Sequence, residues 1–191
     1  SVTSSDTGEV TVSPAAPLTF TSTNWNIAQT VTLTGANDNL VDGSQTSTVT
    51  LSVVDGSSDD DFDGVADQTV SVTTTDSDVA GFTVIESGGT STVPEDGSTT
   101  DDFTVVLDAQ PTSDVVLSIV SADIGEVTVS PATLTFTSGN WDSSQTVTVT
   151  GVDDSLIDGS QTTVVSIAVV DESSNDSFDS LSDQTVSVST A

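Results

Sequence analysis

One acidic stretch occurs twice in the chain, as GANDNLVDGSQT at 35–46 and as GVDDSLIDGSQT at 151–162. Each copy lies between two segments in which apolar residues, mostly Val, alternate with Thr and other polar residues. Each copy is therefore expected to be a loop between strands. The carboxylates of the two loops are Asp38, Asp42, Asp153, Asp154 and Asp158. Clustered Asp side chains and backbone carbonyls supply the oxygen ligands that Ca²⁺ requires. The loops are therefore predicted to hold Ca²⁺, and a solvated acidic turn is the alternative.

The charge balance makes cations the first partner to expect. The 191 residues include 30 Asp and Glu and no Lys, Arg or His, which gives a formal charge of −30. Such a charge keeps a protein soluble but destabilises its compact state by self-repulsion. Nucleic acids and anionic membrane surfaces are excluded as partners because both are bound through Lys and Arg. Membrane insertion is not expected either, because no apolar run reaches the roughly 18 residues of a membrane span.

Catalysis is poorly supported by the residue types. Without His or Cys the chain has no base for a Ser–His–Asp or Cys–His arrangement and no soft ligand for zinc or a redox metal. A carboxylate pair, as in glycosidases, is the one catalytic device left. Acidic residues recur in both copies, which fits metal sites better than a single catalytic cleft. The chain is therefore expected not to be an enzyme.

An internal repeat organises the chain. GEVTVSP at 8–14 recurs 117 residues later at 125–131, and the offset becomes 116 from Trp25 and Trp141 onward. Such self-similarity is the mark of tandem repeats.

Residues 1–75 are accordingly predicted to be the C-terminal part of one repeat, and residues 76–191 a complete one. The first copy lacks the counterpart of residues 79–117. Those strands are expected to come from a segment upstream of residue 1, since the chain looks like a piece of a longer protein, or from a neighbouring subunit by strand donation.

The fold class is predicted to be all-β, an antiparallel Greek-key β-sandwich with repeats of about 116 residues. Trp25 and Trp141, each just before a strand, are expected to cap the end of the sandwich. Alternation places Phe103 with Val105 and Leu107 on the core side, and likewise Leu134 with Phe136, Val147 with Val149, and Val186 with Val188. The predicted strands of the complete repeat are 81–85, 102–108, 115–121, 126–130, 133–137, 145–151, 162–170 and 184–190.

Three segments carry a family resemblance: FTVVLDAQPTSDVVLSI, GEVTVSPATLTFTSGNW and QTVTVTGVDDSLIDGSQT. They resemble the Calx-β-like, Ig-like tandem repeats of very large bacterial cell-surface and adhesin proteins. The resemblance implies Ca²⁺ at one end of the sandwich. Its ligands there would be an early Glu, a mid-domain Asp, the acidic loop, and acids after the last strand.

Carried onto this sequence, the resemblance assigns the acidic-loop ligands to the five Asp residues named above. Glu95 is the early Glu, with Glu86 as a second candidate. Asp123 and Asp6 match the mid-domain Asp, and Asp76 and Asp78 match the acids after the last strand. Asn37 stands where the second copy has Asp153, and Gly follows the last Asp of each loop, so fewer ligands and weaker sites are expected.

A second motif is DDDFDG at 59–64, which reads D-x-D-x-D-G through Asp59, Asp61 and Asp63. This is the front half of an EF-hand calcium loop. The twelfth position is Val70, so the bidentate Glu is missing, and the second copy reads NDSFDS. The alternative is an ordinary surface loop.

Together these features predict a Ca²⁺-stabilised structural extender repeat of a secreted or surface-anchored bacterial adhesin, biofilm-matrix protein or extracellular fibre. Its partners would be neighbouring repeats of the same chain or identical subunits. Two alternatives remain: an adhesive module that binds a glycan or another surface, and a filament-forming subunit completed by strand donation.

Overall fold

The structure is a computed structural model that describes residues 1–157 and 159–191. Asp158 lies outside the described residues. The chain forms two compact units. Unit 1 consists of residues 1–38 and 43–77, and unit 2 consists of residues 39–42 and 78–191. In the described part of the chain, no helix is long and apolar enough to cross a membrane.

Unit 2 is a β-sandwich of two sheets. One sheet has the strand order β10-β12-β8-β6 and the other β11-β9-β13-β14-β7. The strands are β6 (Phe82–Glu86), β7 (Ser91–Val93), β8 (Thr100–Leu107), β9 (Val115–Ser121), β10 (Val127–Ser130), β11 (Thr133–Phe136), β12 (Gln145–Gly151), β13 (Thr162–Val169) and β14 (Gln184–Thr190). The prediction of an all-β sandwich is confirmed.

The sheets are antiparallel except at one edge. β7 pairs in parallel with β14, with Val188 opposite Ser91. This three-residue strand is absent from the sequence prediction, because three residues are too few for alternation to be recognised.

The core of unit 2 lies between the two sheets, on the faces that alternation predicts. Phe103, Val105 and Leu107 of β8 are buried, and so are the predicted core residues of β11, β12 and β14. Trp141 is half-buried and packs against this core, as predicted for a cap.

Unit 1 has fewer strands. It contains β1 (Val2–Ser4), β2 (Val10–Ser13), β3 (Thr32–Gly35), β4 (Gln45–Leu51) and β5 (Gln68–Thr74). They form a three-stranded sheet, β1-β4-β5, and a two-stranded ribbon, β2-β3. In the part of the chain that the structure describes, unit 1 has no strand equivalent to β6, β7, β8 or β11, whereas β1 pairs with β4 as the end of β9 pairs with β13.

The absence of those strands leaves apolar side chains of unit 1 exposed. Phe20 is 54% exposed, whereas its counterpart Phe136 is fully buried. Phe62 is 59% exposed, whereas Phe178 is fully buried. The prediction that Trp25 caps a sandwich is wrong, since its side chain is 71% exposed. The layer against which Trp141 packs is not present in unit 1.

Candidate metal centre

Four acidic segments of unit 2 meet at one end of the sandwich. The strand registers place Val127 opposite Gly151, Thr100 opposite Thr150, and Thr162 opposite Ser189. The β7–β8 turn, the β9–β10 turn, the β12–β13 loop and the end of β14 are therefore neighbours. We call this end of unit 2 the acidic end. It carries Glu95, Asp123, Asp153 and Asp154, so four of the predicted ligands share one end of the sandwich.

The β7–β8 turn lies tightly against the start of the acidic loop. A Cβ atom added to Gly151 would stand 2.1 Å from the carbonyl oxygen of Pro94, which no side chain can tolerate. The same turn needs a left-handed backbone conformation at Gly97, where φ is 64°, and glycine adopts it without steric cost. The amide of Glu95 also donates to the carbonyl of Ala191 at 3.3 Å. These contacts fix Glu95 beside the first residues of the acidic loop.

Asp123 and Asp6 occupy equivalent turns. Oδ1 of Asp123 accepts a hydrogen bond from the amide of Gly125 at 2.9 Å, and Oδ1 of Asp6 accepts one from Gly8 at 2.8 Å. Such Asx turns hold the backbone between two strands. Both residues use one carboxylate oxygen to hold the turn.

The sequence analysis missed Glu126 as a site residue. Its Oε2 accepts a hydrogen bond from the hydroxyl of Thr190 at 3.1 Å. In unit 1 the equivalent Glu9 accepts one from Thr74 at 2.5 Å. Glu occupies the second position of both GEVTVSP copies, and this repetition was the available signal.

Asp123, Glu126 and Asp154 line one open depression of about 510 Å³ at the acidic end. Oδ1 of Asp154 accepts a hydrogen bond from the amide of Leu156 at 2.6 Å, and Asp153 is exposed. Within residues 1–157 and 159–191, no three acidic side chains lie close enough together to hold a metal ion. The predicted ligands share a surface, but the described ones do not form a preformed cage. The predicted ligand Asp158 lies outside the described residues.

The predicted ligands of the first acidic loop are divided between the units. Asp38 and Asp76 belong to unit 1, and Asp42 and Asp78 belong to unit 2. Within unit 1, Oδ2 of Asp76 accepts a hydrogen bond from the amide of Gly43 at 2.9 Å. Asp76 therefore holds the loop where the chain enters β4.

The DDDFDG segment forms a 3₁₀ turn, Asp60–Phe62. Asp59 caps this turn, since its Oδ1 accepts from the amide of Asp61 at 3.1 Å. Desolvation, a hydrogen bond that the protonated Asp63 donates to the Asp55 carboxyl, and the charge of Asp59 together raise the pKa of Asp63. Asp55, which the sequence analysis did not select, thus forms a carboxyl pair with Asp63.

The same pair recurs in unit 2. Desolvation is the largest of the causes that raise the pKa of Asp179. The charge of Asp171, a hydrogen bond that the protonated Asp179 donates to Asp171, and the charge of Asp176 raise it further. Oδ1 of Asp179 is buried and has no hydrogen-bond partner among the described residues. Two carboxyls this close repel each other when both are ionised, so they share a proton or require a cation.

Asn175 replaces Asp59 in the second copy and has a structural role. Its side chain is buried, and Nδ2 donates to the hydroxyls of Thr112 at 2.6 Å and Ser113 at 3.1 Å. Its Oδ1 accepts from the amide of Ser177 at 3.0 Å. An amide nitrogen can donate hydrogen bonds, whereas an ionised carboxylate cannot. The two donated bonds therefore explain why this copy has Asn where the first copy has Asp.

The carboxyl pairs predict how stability depends on pH. In EDTA, we expect the melting temperature to rise as the pH falls from 7 towards 4. The pKa values of Asp63 and Asp179 are raised in the folded state, so folding favours their protonated forms and acidification stabilises it. The pKa of Asp101, lowered chiefly by a hydrogen bond from Ser87, opposes this only below its ordinary value of about 3.8.

Differential scanning calorimetry across this range measures the effect. Asp63→Asn with Asp179→Asn removes one member of each pair and should flatten the profile. A melting temperature that falls steadily from pH 7 to pH 4 in EDTA would contradict the raised pKa values.

No protein-family model matches the sequence. No curated protein matches it either. Among solved structures, domains 4 and 5 of the S-layer protein SbsC give a TM-score of 0.42 at 18% identity, over 85% of this chain and 82% of that one. The apo form of the Calx CBD1 domain gives 0.36 at 13% identity, over 57% of this chain and 95% of that one.

The periplasmic chaperone SfaE gives a TM-score of 0.41 at 8% identity, over 58% of this chain. The match spans 56% of the chaperone chain. These likenesses are distant, and the assignment of a β-sandwich rests on the strands and registers of unit 2.

Proposed function

We propose that the chain is a Ca²⁺-stabilised extender segment of a secreted or surface-anchored bacterial adhesin or extracellular fibre. The observation that carries the proposal is the acidic end of unit 2. There the turns bearing Glu95, Asp123 and Glu126 lie beside the acidic loop, in a chain that has no basic side chain to neutralise them.

Calcium fits the donor set better than other metals. All side-chain ligands available are oxygens, which suit Ca²⁺ and Mg²⁺, and Ca²⁺ tolerates irregular, flexible geometry. The described carboxylates do not form a closed cage, so binding would draw the acidic loop towards Asp123 and Glu126. Weak sites, with a Kd of about 10⁻⁴–10⁻³ M as in extracellular modules, are expected.

The proposed role is mechanical and not catalytic. Metal at the acidic end would neutralise the loops and stiffen the segment, so that an array of repeats projects from a surface. The absence of His, Cys, Lys and Arg from the sequence supports a non-enzymatic role. An extracellular location is proposed because millimolar Ca²⁺ would be needed to fill sites this weak.

A second candidate function is that of a filament-forming subunit. Phe20, Trp25 and Phe62 leave an open apolar face on unit 1, and in unit 2 the equivalent positions are covered within a complete sandwich. Strands resembling β6 and β8, donated by a neighbouring molecule, would complete unit 1 by strand addition.

Sedimentation velocity over a hundredfold range of concentration separates the two candidates. An extender is expected to sediment as a monomer at every concentration and to become more compact in millimolar Ca²⁺ than in EDTA. Mass that grows with concentration would favour the filament subunit. Sedimentation identical in Ca²⁺ and EDTA would argue against a calcium-stiffened extender.

A further inference from the structure

Four residues of the first acidic loop belong to unit 2. The amide of Val41 donates to the carbonyl of Gln110 at 3.0 Å, and the amide of Gln110 donates to the carbonyl of Asn39 at 2.7 Å. Leu40 and Gln110 form a parallel β-bridge. Val41 is half-buried and packs against the core of unit 2. We call residues 109–111, which include the Gln110 backbone, the loop seat.

The second acidic loop has the same sequence pattern but a different environment. Leu156 and Ile157 are the counterparts of Leu40 and Val41, and the residues after them, DGSQT, are identical in the two copies. Leu156 is 68% exposed and Ile157 is fully exposed. Gly43 and Gly159 both have a φ of 74°, so this glycine turn has the same conformation whether the loop is seated or exposed.

Leu156 and Ile157 are two adjacent exposed apolar residues whose counterparts in the first loop are half-buried. Contiguous exposed apolar surface of this kind is a candidate interaction site. The seated copy shows which surface matches the pair: a loop segment between β8 and β9 in which the Gln110 carbonyl and amide hydrogen-bond the seated loop beside an apolar core. The contact requires no charge complementarity, which suits two partners that are both strongly negative.

We propose that Leu156 and Ile157 form a docking element that occupies the loop seat of a further unit of the unit 2 type. This inference rests on the tandem arrangement in the proposed function and adds the device that joins one repeat to the next. The seat of a second intact copy is already filled by that copy's own Leu40 and Val41. The partner must therefore be a unit whose seat is empty, as in a repeat that follows in the same array.

The test is a chain in which a second copy of residues 76–191 follows Ala191 directly. This junction keeps the repeat register, because Asp76 follows Thr75, the counterpart of Ala191. Hydrogen exchange read at single amides compares this extended chain with the original. We expect the Ile157 amide to exchange at least about tenfold more slowly in the extended chain, as the Val41 amide does in both.

A matched control carries Leu156→Ser with Ile157→Ser. In the original chain this variant should leave the melting temperature unchanged, and in the extended chain it should abolish protection at position 157. A second arm uses the original length: Leu40→Ser with Val41→Ser empties the seat. That variant should associate with rising concentration in sedimentation only while Leu156 and Ile157 are intact.

Equal exchange of Ile157 in both chains, with no association of the seat-emptied variant, would overturn the proposal. Measuring both arms in Ca²⁺ and in EDTA separates this inference from the proposed function. Protection of Ile157 that chelation leaves unchanged would support docking while counting against calcium as the stiffening agent.

Discussion

Phe136→Ala is expected to lower the free energy of unfolding of unit 2 by about 3–5 kcal/mol. The same substitution at Phe20, its counterpart in unit 1, should change stability by no more than about 0.5 kcal/mol. Phe136 is fully buried between the sheets, and its removal leaves a cavity, whereas Phe20 is 54% exposed. The repeat thus supplies a matched pair of positions that differ in environment and not in residue type.

Urea unfolding in a Trp25→Phe background, followed by the fluorescence of Trp141, reports on unit 2. Unit 1 is followed in the reciprocal background with Trp141→Phe. Equal losses for Phe136→Ala and Phe20→Ala would show that the first unit is closed by a layer that the structure does not contain.

Removal of calcium is the second large expected effect. One site at a hundredfold excess over Kd, which for a Kd of about 10⁻⁴–10⁻³ M means about 10–100 mM Ca²⁺, adds about 2.7 kcal/mol to stability. Transfer from that concentration to EDTA should therefore lower the melting temperature of unit 2 by on the order of 10 °C. Asp153→Asn with Asp154→Asn should reproduce much of this loss in the presence of Ca²⁺, because a neutral amide is a weaker calcium ligand than a carboxylate.

The control variant is Asp114→Asn with Asp142→Asn. It removes the same charge from two exposed residues at the opposite end of the sandwich, in the turns before β9 and β12. General relief of repulsion would raise stability equally in both variants. The calcium account instead requires that the Asp153 and Asp154 variant alone loses its response to chelation.

The strands were predictable because half-buried strands impose a period of two on the sequence. β9, β12 and β14 have the predicted bounds, and the core faces of β8 and β11 are as predicted. β7 could not be found this way, since its three residues are held by a parallel pairing with β14, far along the chain. The exposure of Trp25 was missed for a related reason: burial depends on a layer that unit 1 lacks.

The candidate site was less predictable than the fold. The repeat identified the acidic loops, and the structure places the second loop beside Glu95 and Asp123. Glu126 was missed because its bond to Thr190 joins residues 64 positions apart. Asp55 and Asp171 were missed because they lie four residues before the D-x-D-x-D-G segment at 59–64 and its counterpart at 175–180, outside the motif that was searched for.

The central claim is that cations between these carboxylates stabilise the folded repeat, and a high-resolution crystal structure grown in millimolar CaCl₂ tests it most directly. The account predicts density with calcium-like anomalous signal at the acidic end of unit 2, coordinated at about 2.3–2.6 Å by oxygens of the acidic loop and the β9–β10 turn. Only water among those carboxylates, in crystals that contain calcium, would contradict it.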